Sequence, residues 1–195
     1  MSRRLIGTLL AVLCAYPALA DDKKPALDMA AAMAAMQKHA EIGPFHKKLE
    51  PLIGDWTYKA SFMIEPNGPA FDMAGVGTRK WILDGRFMMD DAKSEGGEPF
   101  HGLGVTGYDN ALKKYVSVWV DSMTTSIGFS TGEVDSSGKV FTYHREEYNP
   151  MYGQKVKARD VIRIIDNDHH EMEFYTTPPG GKEFKSGTIK FTRKK

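Results

Sequence analysis

The sequence predicts an all-β fold, an antiparallel up-and-down barrel of about ten strands that an N-terminal helix precedes. After residue 53, short segments of strand composition alternate with turn-forming residues at spacings of roughly ten to fifteen residues. No long helix separates these segments, so parallel crossovers are excluded and the strands must be antiparallel. So many consecutive strands would leave two unpaired edges in an open sheet, and closure into a barrel removes both edges.

Residues 1–20 have the organisation of a secretory signal peptide. A short basic head with Arg3 and Arg4 precedes an apolar stretch, and Ala18 and Ala20 provide the small residues of a cleavage site. The apolar stretch is shorter than the roughly 20 residues that a membrane-spanning helix needs. We therefore expect an exported protein, in the periplasm or secreted, without a transmembrane segment.

Composition excludes several functional classes. The only cysteine, Cys14, lies in the signal, so the mature chain has no thiol for a disulfide, a nucleophile or a metal site. The formal net charge of +1 falls slightly below zero without Arg3 and Arg4. A near-neutral chain without basic clusters argues against nucleic acid as a partner. The chain also has no GxSxG, HExxH or phosphate-loop motif, and we predict no catalytic residue, metal or cofactor.

Residues 21–46 form a predicted helical extension, and residues 47–195 form the predicted barrel domain. The extension is rich in alanine, and Met29, Met33 and Met36 repeat on one helical face before a Gly-Pro pair ends the helix. A methionine stripe of this spacing favours a packing surface over a soft-metal site. The helix either caps the barrel mouth or tethers the barrel.

The first and last strands together predict how the barrel closes. The first strand begins at Gly54 and alternates apolar with polar residues, with Trp56 at its head. In the last strand, Ile189 and Phe191 are apolar and share a face with Arg193. If the two strands pair, Arg193 lies beside Trp56, where a guanidinium stacked on an indole is stabilising. We therefore predict that Gly54, Trp56 and Arg193 form a structural closure.

These features resemble a known superfamily. A helical turn, a Gly-x-Trp at the head of the first strand and an arginine near the end of the last strand are similar to calycins, the lipocalin-like barrels. The chain more closely resembles the bacterial DUF1579 family, a domain of unknown function, over roughly residues 47–194. The segments that carry this resemblance include LIGDW, ILDGRFM, GYDNALKKYVSVWVDSMTT, KARDVIRIID and PPGGKEFKSGTIKFTRK. The resemblance implies a lipocalin-like barrel and no particular reaction.

Candidate ligand contacts come from aromatic and charged residues that a barrel interior could contain. The strand at residues 114–122 has one face of Tyr115, Ser117, Trp119 and Asp121 and another of valines, and alternation does not decide which face is inward. Inward arginines could anchor a ligand carboxylate or phosphate, whereas outward ones would form surface ion pairs. The predicted ligand-binding residues are Arg86, Tyr108, Trp119, Asp121, Arg145 and Arg159.

The favoured function is a binding module for a small, partly apolar ligand inside a monomeric or weakly dimeric barrel. Three alternatives remain open from the sequence. One is an enzyme of unassigned reaction that uses inward acids and arginines, and another is a barrel that its own side chains fill and that acts through its surface. The third is haem binding with His144 as a single axial ligand.

The predicted signal is tested by the mass of the exported protein. We expect cleavage after Ala20, so that the mature chain begins at Asp21. Intact mass spectrometry of protein isolated from its native host measures this directly. A chain that retains residues 1–20 after export contradicts the prediction.

Overall fold

The computed structural model describes residues 28–195, so the predicted signal lies outside the described residues. The helical elements are α1 (Met29–His39), α2 (Pro44–Lys47) and the 3₁₀ turns η1 (Glu50–Leu52) and η2 (Leu83–Gly85). The strands are β1 (Gly54–Met63), β2 (Ala70–Ile82), β3 (Phe87–Ser94), β4 (His101–Asp109), β5 (Lys114–Asp121), β6 (Gly128–Val134), β7 (Val140–Asn149), β8 (Gln154–Ile164), β9 (His169–Thr177) and β10 (Phe184–Arg193).

The ten described strands form one closed barrel. Each strand pairs antiparallel with its neighbours in the chain, and β1 pairs with β10 from Trp56 opposite Arg193 to Phe62 opposite Gly187. Closure leaves neither edge of this sheet unpaired. The predicted all-β, up-and-down barrel with a preceding helix is confirmed.

Arg193 contacts several segments that lie around the start of β1 and the end of β10. Its guanidinium lies 4.2 Å from the centre of the Trp56 ring. The same group donates hydrogen bonds to the carbonyl oxygens of Pro51 (2.9 Å), Ile53 (2.7 Å) and Asn167 (2.7 Å). One side chain thus holds the entry to the first strand, the turn before β9 and the indole in a fixed arrangement.

Trp56 and Gly54 complete this arrangement. The Trp56 side chain is buried, and its indole N–H donates to the carbonyl oxygen of Leu52 at 3.0 Å. Gly54 has φ of +134°, a backbone conformation that side-chain-bearing residues rarely adopt. A Cβ atom at residue 54 would also collide with the Arg193 guanidinium. Glycine is therefore required here for both conformation and space.

The two ends of the barrel differ in packing. The closed end, defined here as the end that α2 and η1 cover, is filled by a cluster of large apolar side chains. These are Leu49, Leu52, Met88, Tyr115, Phe141, Tyr143 and Ile162. The open end, defined by the turns that join β1 to β2, β3 to β4, β5 to β6, β7 to β8 and β9 to β10, has no helix across it among residues 28–195.

Helix α1 precedes the barrel and has no buried residue. Its C-terminal end is held by the side-chain amide of Asn110, which donates to the carbonyl oxygens of His39 (2.8 Å) and Glu41 (2.9 Å). The methionine stripe of Met29, Met33 and Met36 is exposed, so the prediction that it packs is wrong for the described residues. No described helix is long and apolar enough to cross a membrane.

Removal of the Arg193 guanidinium should destabilise the barrel. We expect Arg193→Ala to lower the free energy of unfolding by about 2–4 kcal/mol, because three carbonyl oxygens lose a charged donor and the cation–π contact is lost. Arg163→Ala is the matched control, since Arg163 is a half-exposed strand arginine that pairs with Glu173 at 3.3 Å. That change should cost less than about 1 kcal/mol. Equal losses for the two variants in urea denaturation contradict a special role for Arg193.

Candidate functional site

The open half of the barrel encloses a cavity of about 500 Å³. Most of its wall is apolar or aromatic, with rings that include Tyr58, Phe62, Trp119, Phe174 and Phe191. Inward positions of all ten strands contribute to this wall. The cavity therefore occupies the axis of the barrel above the filled closed end.

The structure decides which face of β5 is inward. Trp119 and Asp121 line the cavity, as does Ser117, and the valine face of the strand points outward with Val118 and Val120 partly exposed. The indole fits because the facing inward residues of β4 are Gly102 and Gly104. A Cβ atom at either glycine would press against the Trp119 ring. The aromatic and acidic face of β5 thus forms part of the cavity wall.

Asp121 organises the mouth of the cavity. Its Oδ2 atom accepts a hydrogen bond from the Trp119 indole N–H at 3.0 Å. Its Oδ1 atom accepts from the backbone N–H groups of Met123 (2.9 Å) and Thr124 (3.1 Å) in the turn after β5. The carboxylate therefore orients the indole and shapes the turn at the entrance.

Arg145 lies in the cavity wall between two carboxylates. Its Nε atom donates to Glu147 at 2.7 Å, and its Nη1 atom donates to Oδ2 of Asp160. Burial opposes the charge of Arg145, and the adjacent Asp160 and Glu147 carboxylates outweigh it and raise the pKa of Arg145 above its ordinary value. Burial also raises the pKa of Asp160, while contact with Arg145 favours the ionised carboxylate. The charge of Arg145 is thus already paired with two carboxylates inside the barrel.

A second buried arginine, Arg79, was not predicted as a site residue. Its Nε atom donates to Asp90 at 2.7 Å, and its Nη1 atom lies 2.6 Å from Nε2 of His170. Its guanidinium also lies 4.6 Å from the centre of the Phe191 ring. Asp90 stands directly opposite Arg79 in the pairing of β2 with β3. The sequence offered one signal, because Arg79 shares a strand face with Trp81, which packs against the closed-end core.

His170 is neutral in the folded protein. Its ring stacks on Phe191 with centroids 4.3 Å apart and meets Trp56 edge-on at the same distance. Burial, together with the charges of Arg79 and Arg193, lowers its pKa from 6.5 to about 2. Because arginine only donates, His170 Nε2 accepts from Arg79 and the proton lies on Nδ1. The histidine therefore joins the closure of the barrel to the floor of the cavity.

Two of the predicted ligand contacts lie at the closed end, away from the cavity. Arg86 follows the tight turn η2, and its guanidinium donates to the carbonyl oxygen of Leu83 at 3.1 Å. Tyr108 stacks on Phe45 of α2 with ring centroids 4.5 Å apart and packs against the closed-end core. Neither side chain lines the cavity, because Arg86 lies in the connection between β2 and β3 at the closed end and Tyr108 lies near the end of β4 beside α2.

A third predicted contact, Arg159, lies on the outer face of the barrel. Its guanidinium pairs with Glu183 through two hydrogen bonds of 3.0 and 2.6 Å. It also stacks on Tyr175 at 3.9 Å. Residues next to each other in a strand point to opposite faces, so the inward position of Asp160 places Arg159 outside. The expectation that Arg159 reaches an interior ligand is corrected.

His144 also lies on the outer face, so it cannot bind an iron centre held inside the barrel. It is exposed on β7 between the inward residues Tyr143 and Arg145. The haem hypothesis based on His144 is therefore wrong, because strand alternation places the imidazole on the outer surface. Within residues 28–195, no group of three or more His, Cys, Asp or Glu side chains is arranged to hold a metal ion.

Family comparison matches residues 41–193 to the family described as "Protein of unknown function (DUF1579)". The chain belongs to the DUF1579 family. The predicted resemblance is confirmed, and the family description assigns no activity. No curated protein sequence matches the chain.

Two solved structures show the same fold as this DUF1579 barrel. The crystal structure of Rv2717c from M. tuberculosis is similar with a TM-score of 0.57 and 15% identity, over 80% of this chain and 100% of that one. The S-type phycobiliprotein lyase CPES from Guillardia theta is similar with a TM-score of 0.53 and 13% identity, over 82% and 97% of the chains. At these identities the likeness shows the barrel fold alone and carries no information about activity.

The low pKa of His170 should make stability depend on pH. Below pH 6.5 the unfolded chain protonates this histidine and the folded chain does not, so unfolding takes up a proton and stability falls as pH decreases. The limiting loss is about 1.4 kcal/mol per pH unit. We expect His170→Gln to reduce this slope in urea denaturation between pH 6.5 and about 5, while His46, whose pKa burial also lowers, retains its contribution.

The neighbouring His169 provides the control for this prediction. Its imidazole is half-exposed, so His169→Gln leaves the buried His170 in place and the fall in stability on acidification should remain. Overall stability is not the readout, because His170→Gln also loses ring packing. Identical pH slopes for wild type and His170→Gln contradict a neutral buried His170.

Proposed function

We propose that this DUF1579 barrel is a binding module that holds a small, partly apolar molecule in its interior cavity. The observation that carries the proposal is the cavity itself. Its volume of about 500 Å³ falls within the range of roughly 300–1,000 Å³ that is usual for small-molecule sites. A mainly aromatic wall with a few polar groups is the usual composition of such sites.

The size of the inward residues explains why the cavity exists. At the closed end, inward positions have large side chains that fill the barrel. In the open half, several inward positions have small ones, including Ala60, Ala92, Gly104, Ser117 and Ser130. The described interior is therefore incompatible with a barrel that its own side chains fill along its whole length.

The entrance of the cavity also suits an apolar molecule. Phe71, Phe100 and Met123 lie near the open end, where Phe71 is about half-exposed and Met123 is largely exposed. Exposed apolar side chains around a cavity mouth favour contact with an apolar ligand. We place this activity outside the cytoplasm, on the basis of the signal predicted for residues 1–20.

Binding is favoured over catalysis by the state of the interior charges. Asp90 is bonded to Arg79, and both Glu147 and Asp160 are bonded to Arg145. A general base or nucleophile must be available to the substrate, whereas each of these carboxylates has at least one oxygen bonded to a neighbouring guanidinium group. The interior therefore offers recognition groups more readily than a catalytic pair.

Filling the cavity should abolish binding of an apolar probe. Ala92 points into the cavity from β3, so Ala92→Trp places an indole in the space that the ligand would occupy. We expect this variant to weaken binding of the neutral dye N-phenylnaphthylamine by at least about tenfold, because an occupied site excludes the dye. Fluorescence titration gives the dissociation constants, and circular dichroism verifies the fold.

The adjacent residue supplies the matched control. Lys93 lies next to Ala92 on the outward face of β3 and is half-exposed. Lys93→Trp adds the same indole to the same strand outside the cavity, and its dye affinity should stay within about twofold of wild type. Equal affinities for both variants, or a wild type that binds no dye, contradict binding in the cavity.

A further inference from the structure

The cavity wall contains more negative than positive side chains. Two arginines face it, and they are Arg79 and Arg145. Four acidic residues face it, and they are Asp90, Asp121, Glu147 and Asp160. An enclosed volume with excess carboxylate favours a cation over an anion, because charges interact strongly where water is scarce.

Both arginines already have acidic partners. Arg79 is bonded to Asp90, and Arg145 is bonded to Glu147 and Asp160. Neither guanidinium is an unpaired positive charge that awaits an anionic ligand. The expectation that interior arginines anchor a ligand carboxylate or phosphate therefore loses its physical basis.

Asp160 lacks a partner for one of its two oxygens. Oδ2 contacts Arg145, whereas no described residue donates a hydrogen bond to Oδ1. The residue projects into the cavity wall from β8 and is only 7% exposed. A buried acceptor without a donor is unfavourable. Oδ1 is closed to solvent although the residue lines the cavity, so a rotation of the side chain that brings Oδ1 to a ligand N–H group would relieve that cost.

The aromatic wall adds an independent preference for a cation. Tyr58, Trp119, Tyr143 and Phe191 line the same cavity as Asp160. The faces of aromatic rings attract ammonium groups, and this attraction strengthens when the cation is removed from water. Apolar rings around a carboxylate thus match a molecule with an apolar body and a positively charged end.

We infer that the natural ligand is an organic amine, with an apolar body in the aromatic cavity and a protonated amino group that donates a hydrogen bond to Asp160. This inference rests on the proposed function and specifies its ligand class. A primary ammonium group supplies both the positive charge and the N–H donor that the site lacks. A quaternary ammonium group supplies only the charge.

The test compares four probes with the same octyl chain on the wild-type protein. Octylamine, octyltrimethylammonium, octanol and octanoate are measured by displacement of N-phenylnaphthylamine at pH 7. We expect octylamine to bind at least about tenfold more tightly than octanol, and octanoate to bind most weakly. We also expect octylamine to bind more tightly than octyltrimethylammonium, because only the primary amine donates to the carboxylate.

Asp160→Asn locates the interaction. This change removes the charge and keeps the shape of the side chain, and it should lower octylamine affinity at least about tenfold while octanol affinity stays within about twofold. Glu183→Gln is the matched control, because Glu183 is the carboxylate of the Arg159 ion pair on the outer face. It should leave every probe affinity unchanged.

The outcomes separate this inference from the proposed function. Octanol or octanoate binding as tightly as octylamine overturns the amine inference, while the cavity remains a binding site. Octyltrimethylammonium binding as tightly as octylamine overturns the hydrogen bond to Asp160. Failure of wild type to bind the dye and all four probes overturns the proposed function itself. The wild-type series decides the ligand class even if Asp160→Asn does not fold.

Discussion

The pairing of β1 with β10 is the constraint on which the rest of the structure depends. An antiparallel sheet of ten strands avoids unpaired edges only if its first and last strands meet. Arg193 secures that meeting, because it stacks on Trp56 and donates to three backbone carbonyl groups from two separate segments. These contacts fix the register of the final pair and therefore the inward or outward position of every residue along it.

The same closure supports the charged floor of the cavity. Trp56 meets His170 edge-on, His170 accepts a hydrogen bond from Arg79, and Arg79 pairs with Asp90. Charged groups in an interior are tolerated only when they are paired and hydrogen-bonded. The packed closed end thus adjoins the interior ion pairs, and the polar groups of the cavity wall are held by hydrogen bonds to neighbouring side chains.

The sizes of the inward side chains divide the barrel into a filled closed end and an open half that contains the cavity. Large residues such as Phe141 and Tyr115 fill the closed end, whereas small residues such as Ala92 and Ser130 leave space in the open half. Interiors are otherwise close-packed, so an unfilled volume of about 500 Å³ represents packing energy that the fold does not recover. Under the proposed function, a ligand that contacts the aromatic wall and the carboxylates fills this volume and recovers part of that packing energy.

The sequence by itself determined the class of fold and the closure, because alternation and turn chemistry are local signals and the parity of Trp56 and Arg193 follows from counting along two strands. The sequence also named Trp119 as a candidate ligand contact, because a large aromatic residue on a barrel strand is a candidate contact before its inward position is known. Alternation cannot say which face of a strand is inward, so the partners of Arg145 and the inward position of Asp160 came only from the tertiary structure. Long-range pairing decided those positions, because it brings together residues that are distant in the chain and assigns each strand face to the cavity or to solvent.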